Sequence, residues 1–325
     1  MIITRTPFRV SFAGGGSDIK DYYEKYSGAV VSSSINKYIY LSMHPNFNKN
    51  QYLLKYLNTE ITENIEDIKH PVIKNVFKRY NIKGIDFNSS ADIPAGTGLA
   101  SSSAFTAGLI TLCSAYTNKK ITKEETAETA CEIEIEDLKA PIGKQDQYEC
   151  TFGGFNYIKF ETTGMVSIES LNLDEKTYKA LEKNLLLFYT GSARNSYSIL
   201  AEQKKNTAES GSKVYNVHKM VQLAQTLKKE LQNGNISAIG AVLNESWQYK
   251  KELARGISNA EIDSIYETAL NSGAEGGKLL GAGGGGFVLF YAEEKNHQKI
   301  RSALNKLQEI SFNFEFDGAK VIYKD

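Results

Sequence analysis

The chain has 325 residues, of which 41% are hydrophobic and 23% charged, and its 38 basic residues balance its 38 acidic ones. This length is typical of two domains or one large one, and the zero net charge argues against a surface that binds nucleic acid or an anionic membrane. The three cysteines and four histidines are scattered, without a CxxC pair, so we expect free thiols and no zinc cluster.

The N-terminal residues lack the basic and then apolar order of a signal peptide. The longest weakly polar run, residues 104–116, is too short to span a membrane. We therefore expect a cytoplasmic protein with a small-molecule substrate, and with neither a nucleic-acid nor a membrane partner. The sequence leaves open whether the chain forms a homodimer.

In chain order, hydrophobic periodicity predicts strands at 2–12, 29–44 (one strand or two), 51–56, 84–93, 153–162, 164–171, 184–191 and 287–292, with further strands at the C-terminus. It predicts a short helix after residue 18, helices at 66–80, 101–117, 123–139 and 296–308, and a helical tract from 195 to about 272 that is broken near 210, 234 and 258. A mixed first half thus gives way to a helix-rich second half, which predicts an α+β fold with domains at 1–182 and 183–325.

Three glycine-rich loops occupy residues 12–18, 94–104 and 281–287, and only the middle one, "PAGTGLASSSA", clearly precedes a helix. Gly96 and Gly98 would let a ligand approach the backbone closely. Ser101, Ser102 and Ser103 fall at the start of the helix, where free N–H groups and the helix dipole favour an anion. The same serines could instead cap a buried helix, so this segment alone leaves an anion site and a plain cap as alternatives.

Two familiar phosphate-binding motifs are excluded. No GxxxxGK[ST] string occurs, so the chain has no P-loop. A GxGxxG string does occur at Gly281, Gly283 and Gly286, but the apolar strand "FVLFYA" follows it where a dinucleotide site needs a helix. The motifs of protein kinases are absent as well.

Charged residues in two segments are candidates for chemistry. Glu134 stands between two isoleucines on a predicted helix, where a carboxylate needs a cation or a partner, and Asp146 follows the helix-breaking "APIG". A solvated acidic helix with an Asp cap is the alternative, and we keep it for Glu132 and Glu136. Arg9 lies in the first predicted strand and precedes Asp18, either as an exposed edge residue or as the partner of a buried carboxylate.

Together, the three loops resemble the motifs of the superfamily of galactokinase, homoserine kinase, mevalonate kinase and phosphomevalonate kinase (the GHMP kinases). "PAGTGLASSSA" resembles the family pattern P-x-x-x-G-L-G-S-S-A, with Ala100 where glycine is usual. The segment from Arg9 to Asp18 resembles the galactokinase pattern R-V-N-L-I-G-E-H-T-D, with Gly15 and Gly16 in place of Glu and His. "GAGGGGF" resembles the third motif.

The resemblance implies a two-domain fold, with an N-terminal domain like ribosomal protein S5 domain 2, a ferredoxin-like C-terminal domain, and the active site between them. It implies that Ser102 and Glu134 hold Mg²⁺ and that Asp146 is catalytic, with Arg9 beside it. The implied ATP-binding residues are Gly96, Thr97, Gly98, Leu99, Ala100, Ser101, Ser102 and Ser103. The implied sugar-binding residues are Gly15, Gly16, Ser17, Asp18, Arg194, Gly283 and Gly284.

The strings "PIGKQDQY" and "TGSARNS" are similar to a branch of sugar 1-kinases that includes D-glycero-D-manno-heptose 7-phosphate kinases and fucokinases. This similarity implies phosphoryl transfer to an anomeric hydroxyl group, with Arg194, and then Lys144, as candidates to receive a sugar 7-phosphate. A kinase of an unphosphorylated sugar and a non-catalytic sugar sensor are the alternatives. A sensor needs neither Glu134 nor Asp146, and the spacing from Arg9 to Asp18 argues against an ATP-dependent decarboxylase.

Overall fold

The computed structural model describes residues 1–191, 197–209 and 211–325. The strands are β1 (Ile2–Ala13), β2 (Gly28–Pro45), β3 (Tyr52–Lys55), β4 (Thr59–Thr62), β5 (Ile85–Ala91), β6 (Phe155–Phe160), β7 (Val166–Ser170), β8 (Leu185–Tyr189), β9 (Gly276–Leu279), β10 (Phe287–Tyr291), β11 (Gln308–Glu309) and β12 (Lys320–Lys324).

The helices are α1 (Lys20–Tyr26), α2 (Pro71–Arg79), α3 (Ser101–Tyr116), α4 (Lys123–Cys131), α5 (Gln145–Phe152), α6 (Glu175–Asn184), α7 (Tyr197–Glu209), α8 (Gly211–Gln232), α9 (Ala238–Lys251), α10 (Ala260–Asn271) and α11 (Glu294–Ala303). A 3₁₀ turn at Ile65–Asp67 precedes α2, and a π-helical segment at Glu132–Asp137 follows α4. In the described part of the chain, no helix is long and apolar enough to cross a membrane.

The predicted elements are mostly present, with differences at a few points. The helix predicted at 123–139 is α-helical only to Cys131 and continues as the π-helical segment. Helices α5 and α6 and the short strands β4 and β9 were not predicted. The fully buried face of α5 comes from residues such as Gln147 and Glu149, which carry no hydrophobic signal.

The first sheet has the strand order β12-β1-β2-β5-β3-β4, with β6 paired to β2 and β7 to β6. Its last strand, β12, returns from the C-terminus to pair antiparallel with β1. The N-terminal half is therefore completed by residues 320–324, which lie outside the predicted 1–182 domain. The boundary near residue 182 stays a prediction.

The second sheet has the order β11-β8-β10-β9. Alternate residues of β8 face two cores: Leu185 and Leu187 pack with the first sheet, whereas Leu186 and Phe188 pack with the C-terminal helices. A strand buried on both faces needs a continuous apolar sequence, which "LLLFY" supplies. The C-terminal layer is thus fixed against the first, and the cleft between the two layers holds the polar residues described below.

Candidate active site

Arg9 and Asp146 meet as a bidentate ion pair. Arg9 lies in β1 and is 4% exposed, and its Nε and Nη2 donate to Oδ1 and Oδ2 of Asp146 at 2.8 and 2.9 Å. Its Nη1 donates to the carbonyl oxygen of Gly98 at 2.7 Å. Burial lowers the pKa of Arg9, but the Asp146 carboxylate opposes it, and the net shift is upward. Asp146, at 28% exposed, is oriented by the pair and still has an open side.

Asp18 lies next to this pair and is anchored by backbone groups. Its Oδ1 accepts from the N–H of Gly16 at 3.0 Å and its Oδ2 from the N–H of Gln145 at 3.1 Å. Burial and then the neighbouring Asp146 charge raise the pKa of Asp18. The side chain of Gln145 donates to Oδ1 of Asp146 at 3.0 Å, so this one residue connects the two carboxylates.

Glu134 is 2% exposed within the π-helical segment and accepts hydrogen bonds from four uncharged groups. Ser102 and Thr106 donate to its Oε1 at 2.6 and 3.1 Å, and Ser103 and Gln147 donate to its Oε2 at 2.8 and 2.6 Å. Burial raises the pKa of Glu134 against the opposing effect of these bonds. The solvated-helix alternative is therefore wrong for Glu134.

The two neighbouring glutamates behave as predicted. Glu132 is 56% exposed and pairs with Arg79, while Glu136 is 55% exposed and lies near Lys20. They are solvated surface charges, and the contrast with Glu134 confirms the interpretation of this segment.

The loop before α3 leaves the first turn of that helix without a side-chain cap. The N-cap position is Ala100, with φ of 67° and no capping hydrogen bond. Ser101 accepts instead from the N–H of Gly96 at 3.3 Å, and the Ser102 and Ser103 hydroxyl groups are turned onto Glu134. The serine-cap alternative is therefore wrong, and the first N–H groups of α3 are available to an anion.

The second and third glycine loops touch through their backbones. A Cβ atom at Gly98 would lie 2.5 Å from the carbonyl oxygen of Leu280, and one at Gly286 would lie 2.3 Å from that of Thr97. Both glycines have positive φ, so the contact requires residues without a side chain. The third loop therefore supports the second from behind, and Gly283 and Gly284 are held near Ile257, to whose carbonyl oxygen Gly284 donates at 3.0 Å.

The side chains of three predicted ligand-binding residues are buried or bonded inside the protein. Ser17 is fully buried, and its hydroxyl donates to the Gly14 carbonyl oxygen at 2.7 Å. Leu99 is 1% exposed, and Thr97 donates to the Pro94 carbonyl oxygen at 2.9 Å. The contacts of these three residues with a ligand stay predictions. Arg194 lies outside the described residues.

Several residues of the cleft were missed from the sequence. They are Gln145, Gln147, Thr106, Lys250 and Lys278. The two glutamines flank Asp146 in "GKQDQY", so their position could have been noticed. Nothing in the local sequence marks the two lysines, because lysine is normally exposed.

The oxygen atoms around Glu134 suit a hard cation. Mg²⁺ is usually held by one or two carboxylates together with substrate phosphates and water, and Glu134 with the Ser102 hydroxyl offers such a partial set. The described residues contain no cluster of three or more His, Cys, Asp or Glu side chains that could hold a metal by itself. The fit is therefore that of a cation brought in with a nucleotide.

Comparison with known proteins identifies the family. The model of the GHMP kinases N terminal domain matches residues 67–154, and that of the GHMP kinases C terminal domain matches residues 227–309. A D-glycero-alpha-D-manno-heptose 7-phosphate kinase from Campylobacter jejuni is 32% identical over 98% of this chain and 98% of its own. The chain belongs to the GHMP kinases.

Solved structures and other relatives agree with this assignment. A D-glycero-D-manno-heptose 1-phosphate kinase from Bacteroides thetaiotaomicron matches with a TM-score of 0.82 and 26% identity over 100% of both chains. A galactokinase from Pyrococcus furiosus is 22% identical over 99% of this chain and 97% of its own. The predicted family and its two-domain α+β fold are confirmed. The protein is a sugar kinase, which transfers a phosphoryl group from ATP to an alcohol group.

Proposed function

We propose that this GHMP kinase transfers the γ-phosphoryl group of ATP to the anomeric hydroxyl group of D-glycero-D-manno-heptose 7-phosphate. The relative from Campylobacter jejuni, which bears that substrate in its name, supports the choice of sugar. The bidentate pair of Arg9 and Asp146 is the observation that carries the chemistry, because it presents an oriented carboxylate in the cleft. A cytoplasmic location is part of this proposal.

Asp146 would accept the proton of the attacking hydroxyl group. Arg9 and Gln145 donate to its oxygen atoms, and the side chain is still 28% exposed, so it can accept a further hydrogen bond. In phosphoryl transfer the protein mainly positions the reactants and neutralises charge, so orientation of the hydroxyl by Asp146 matters as much as its basicity. Asp18, anchored through Gln145, is placed to accept a hydrogen bond from another sugar hydroxyl.

The phosphates of ATP would lie on the uncapped start of α3, where backbone N–H groups and the helix dipole favour negative charge. Glu134 and Ser102 would hold Mg²⁺, which withdraws charge from the phosphate oxygen atoms when it is bound. Ser102 can turn its hydroxyl hydrogen away from Glu134 and offer a lone pair, since hydroxyl groups rotate freely. Ser103 and Gln147 would keep the other carboxylate oxygen in place.

The position of the phosphate on the sugar needs a direct test, since the names of the relatives differ on it. One is named a 7-phosphate kinase and the other a 1-phosphate kinase. Lys144 is the described candidate for a second phosphate: its Nζ donates to the Gly164 carbonyl oxygen at 2.8 Å and lies 5.1 Å from the Tyr23 ring centre. Lys144 lines a cavity of about 460 Å³, and Asp18 is another of its lining residues.

The same cavity supports a second candidate function. Its charged lining residues are Asp18, Lys20, Glu24, Glu128, Glu132, Glu136 and Lys144. Carboxylates outnumber ammonium groups, which disfavours a phosphate dianion and suits the hydroxyl groups of a neutral sugar. A kinase of an unphosphorylated sugar is therefore the alternative.

A substrate comparison decides between the two. ADP formation with ATP and Mg²⁺ is measured on heptose 7-phosphate, the free heptose, galactose and fucose, and ³¹P NMR locates the new phosphate. We expect the highest kcat/KM for heptose 7-phosphate, with the new phosphate at C1. Turnover confined to unphosphorylated sugars would favour the alternative, and sugar binding without any turnover would overturn the proposal in favour of a sensor.

Lys144→Met tests whether Lys144 binds the phosphate group of the sugar. If Lys144 receives the sugar phosphate, this variant should raise KM for heptose 7-phosphate about tenfold or more and leave KM for ATP unchanged, because one charge-assisted hydrogen bond is lost. Lys139→Met, at a lysine that is 77% exposed nearby, is the matched control and should change neither value. Equal changes for both substrates would exclude Lys144 as the phosphate ligand.

A further inference from the structure

Two lysines lie buried beside the pair of Arg9 and Asp146. Lys250, in α9, is 7% exposed, and Lys278, in β9, is 2% exposed. Within residues 1–191, 197–209 and 211–325, neither forms an ion pair with a carboxylate, and Asp146 is already bound by Arg9. Arg9 faces two carboxylates, Asp146 and the neighbouring Asp18, so the three basic groups still outnumber the acidic ones. Such an excess of buried positive charge needs either an anion or the loss of a proton.

The hydrogen bonds of Lys250 fit the neutral amine. Its Nζ donates to the carbonyl oxygens of Leu279, at 3.1 Å, and Gly281. A neutral amine has two N–H groups and an ammonium has three, so two acceptors satisfy the neutral form and leave one N–H of the charged form without an acceptor among the described residues. A charged Lys250 would therefore need one further acceptor beside these two carbonyl oxygens.

The surrounding charges also favour the neutral form of Lys250. Burial and the Arg9 guanidinium lower the pKa of Lys250 to about 7, with the Asp146 carboxylate opposing them. Burial, Lys250 and Arg9 also lower the pKa of Lys278 well below its usual value. The charged groups that face Lys250 thus come from β1 (Arg9), α5 (Asp146) and β9 (Lys278), and two of the three are basic.

Lys250 also lies where the second and third glycine loops meet. It binds the carbonyl oxygen of Gly281, whose backbone touches Gly98, while Arg9 binds the carbonyl oxygen of Gly98 from the other side. A phosphoryl group in line with a hydroxyl at Asp146 would come close to this junction, since reacting atoms must lie about 3–3.5 Å apart.

We propose that Lys250 takes up a proton from solvent when the γ-phosphoryl group of ATP is bound beside Asp146, so that its full positive charge is present at the reaction centre only in the loaded site. The phosphoryl oxygen supplies the missing third acceptor, and its negative charge offsets the repulsion from Arg9. The proposal rests on the proposed function only in placing the γ-phosphoryl group beside Asp146. It assigns Lys250 a positioning and charge-balancing role that is separate from the choice of sugar.

The test is the number of protons taken up on nucleotide binding. Calorimetric titrations at pH 7.5, in two buffers of different ionisation enthalpy, give that number for a non-hydrolysable ATP analogue, for ADP and for a hexose 6-phosphate, each with Mg²⁺. For the wild-type protein we expect roughly half to one proton more with the ATP analogue than with ADP. The ADP titration separates the γ-phosphate from the other two phosphates.

Variants connect the uptake to one side chain. Lys250→Met should bind the ATP analogue about tenfold or more weakly and lose the extra proton, because it has no titrating group. Lys250→Arg keeps a permanent charge, so it should bind the analogue without the extra proton even if the Met variant folds poorly. Lys251→Met is the matched control: Lys251 is 31% exposed, lies near Asp263, and should keep the wild-type uptake.

The outcomes separate this inference from the proposed function. Equal uptake by the wild-type protein and Lys250→Arg would overturn the role of Lys250, whatever sugar the enzyme uses. Uptake caused by the hexose 6-phosphate and not by the ATP analogue would overturn the γ-phosphoryl assignment. Uptake specific to the ATP analogue, together with no turnover of any sugar, would support Lys250 and count against the proposed substrate alone.

Discussion

Glu134 is 2% exposed and accepts hydrogen bonds from four uncharged groups, whereas Asp146 is 28% exposed and is held by a guanidinium. The two carboxylates come from neighbouring elements, the π-helical segment and α5. The difference between their surroundings suggests a difference in role, as it does wherever two carboxylates in one site are placed in unlike environments.

Uncharged donors and a guanidinium constrain a carboxylate differently. The hydroxyl groups of Ser102 and Thr106 can rotate away from Glu134 when a cation arrives, so one oxygen atom can exchange partners. Arg9 has no such freedom, because its planar fork fits both oxygen atoms of Asp146 at once. Glu134 is therefore suited to a metal that comes and goes, and Asp146 to holding a hydroxyl group in one orientation.

The largest expected effect is that of Asp146→Asn. The amide cannot accept the hydroxyl proton, so kcat should fall by about 10²–10⁴ while nucleotide binding is kept. Steady-state kinetics and calorimetry measure the two quantities. Asp21→Asn is the control, since Asp21 is 34% exposed and lies near Lys204. A folded, ATP-binding Asp146→Asn enzyme with near-normal turnover would remove Asp146 from the mechanism.

Glu134→Gln tests whether the second carboxylate, Glu134, holds the metal. If Glu134 holds the metal, the amide should lower the rate about 10²-fold and raise the Mg²⁺ concentration that gives half-maximal activity, because a neutral ligand binds the cation weakly. The measurement is the rate as a function of Mg²⁺ at fixed ATP. Glu136→Gln, at an exposed site two residues along, should behave as wild type. An unchanged Mg²⁺ dependence for Glu134→Gln would show that the buried carboxylate is structural.

Glu149 is a buried carboxylate outside the proposed site, and it can therefore be compared with Glu134. It lies in α5, is fully buried, and accepts hydrogen bonds from Ser32 at 2.6 Å and from Asn156 at 3.1 and 3.2 Å. Burial raises the pKa of Glu149 from 4.5 to about 7 against these bonds. Its surroundings are thus like those of Glu134, but no loop or cleft residue of the proposed site contacts it through a hydrogen bond in the described part of the chain.

The raised pKa of Glu149 predicts a loss of stability with rising pH. Between pH 4.5 and about 7 the folded protein keeps a proton that the unfolded chain has released, so the free energy of unfolding should fall across this window by roughly 2–3 kcal/mol and then level off. Glu149→Gln, which mimics the protonated carboxyl group, should remove that part of the slope. Urea denaturation at several pH values measures it, and an unchanged slope in the variant would contradict the assignment.

The comparison also shows which features of the site the sequence could predict. The glycine loops and the buried helix α3 follow from local patterns of residue size and polarity. The local pattern marked Glu134 as unusual, but only the resemblance to the GHMP kinases favoured a functional role over a solvated helix. The pairing of Arg9 with Asp146 follows only from the resemblance to the GHMP kinases, since the spacing of the two residues along the chain carries no information about their contact.

The features that escaped prediction depend on contacts between distant segments. Lys250 and Lys278 are buried because the C-terminal layer packs over β1, which no local pattern reveals. Helix α5 buries polar side chains against β1 and β2, so its sequence lacks an apolar stripe. Polar interiors of this kind are expected where a site, and not only a core, is being built.

The smallest expected effect concerns Ala100, which stands where the family pattern has glycine. Its φ of 67° and ψ of 30° lie in the left-handed region, which costs a residue with a side chain about 1–2 kcal/mol. Glycine avoids that cost but loses more entropy on folding, by roughly 0.5–1 kcal/mol. Ala100→Gly should therefore raise the free energy of unfolding by about 0.5–1 kcal/mol, as measured by chemical denaturation.

Ala104, one turn into α3 and fully buried, provides the matched control. Ala104→Gly should lower the free energy of unfolding by about 1 kcal/mol or more, because glycine is unfavourable inside a helix. Opposite signs for the two substitutions would show that the loop before α3 is held in a left-handed turn that aims the first N–H groups of the helix at the cleft. Equal losses would mean that the Ala100 methyl group, packed against the core, outweighs the backbone strain.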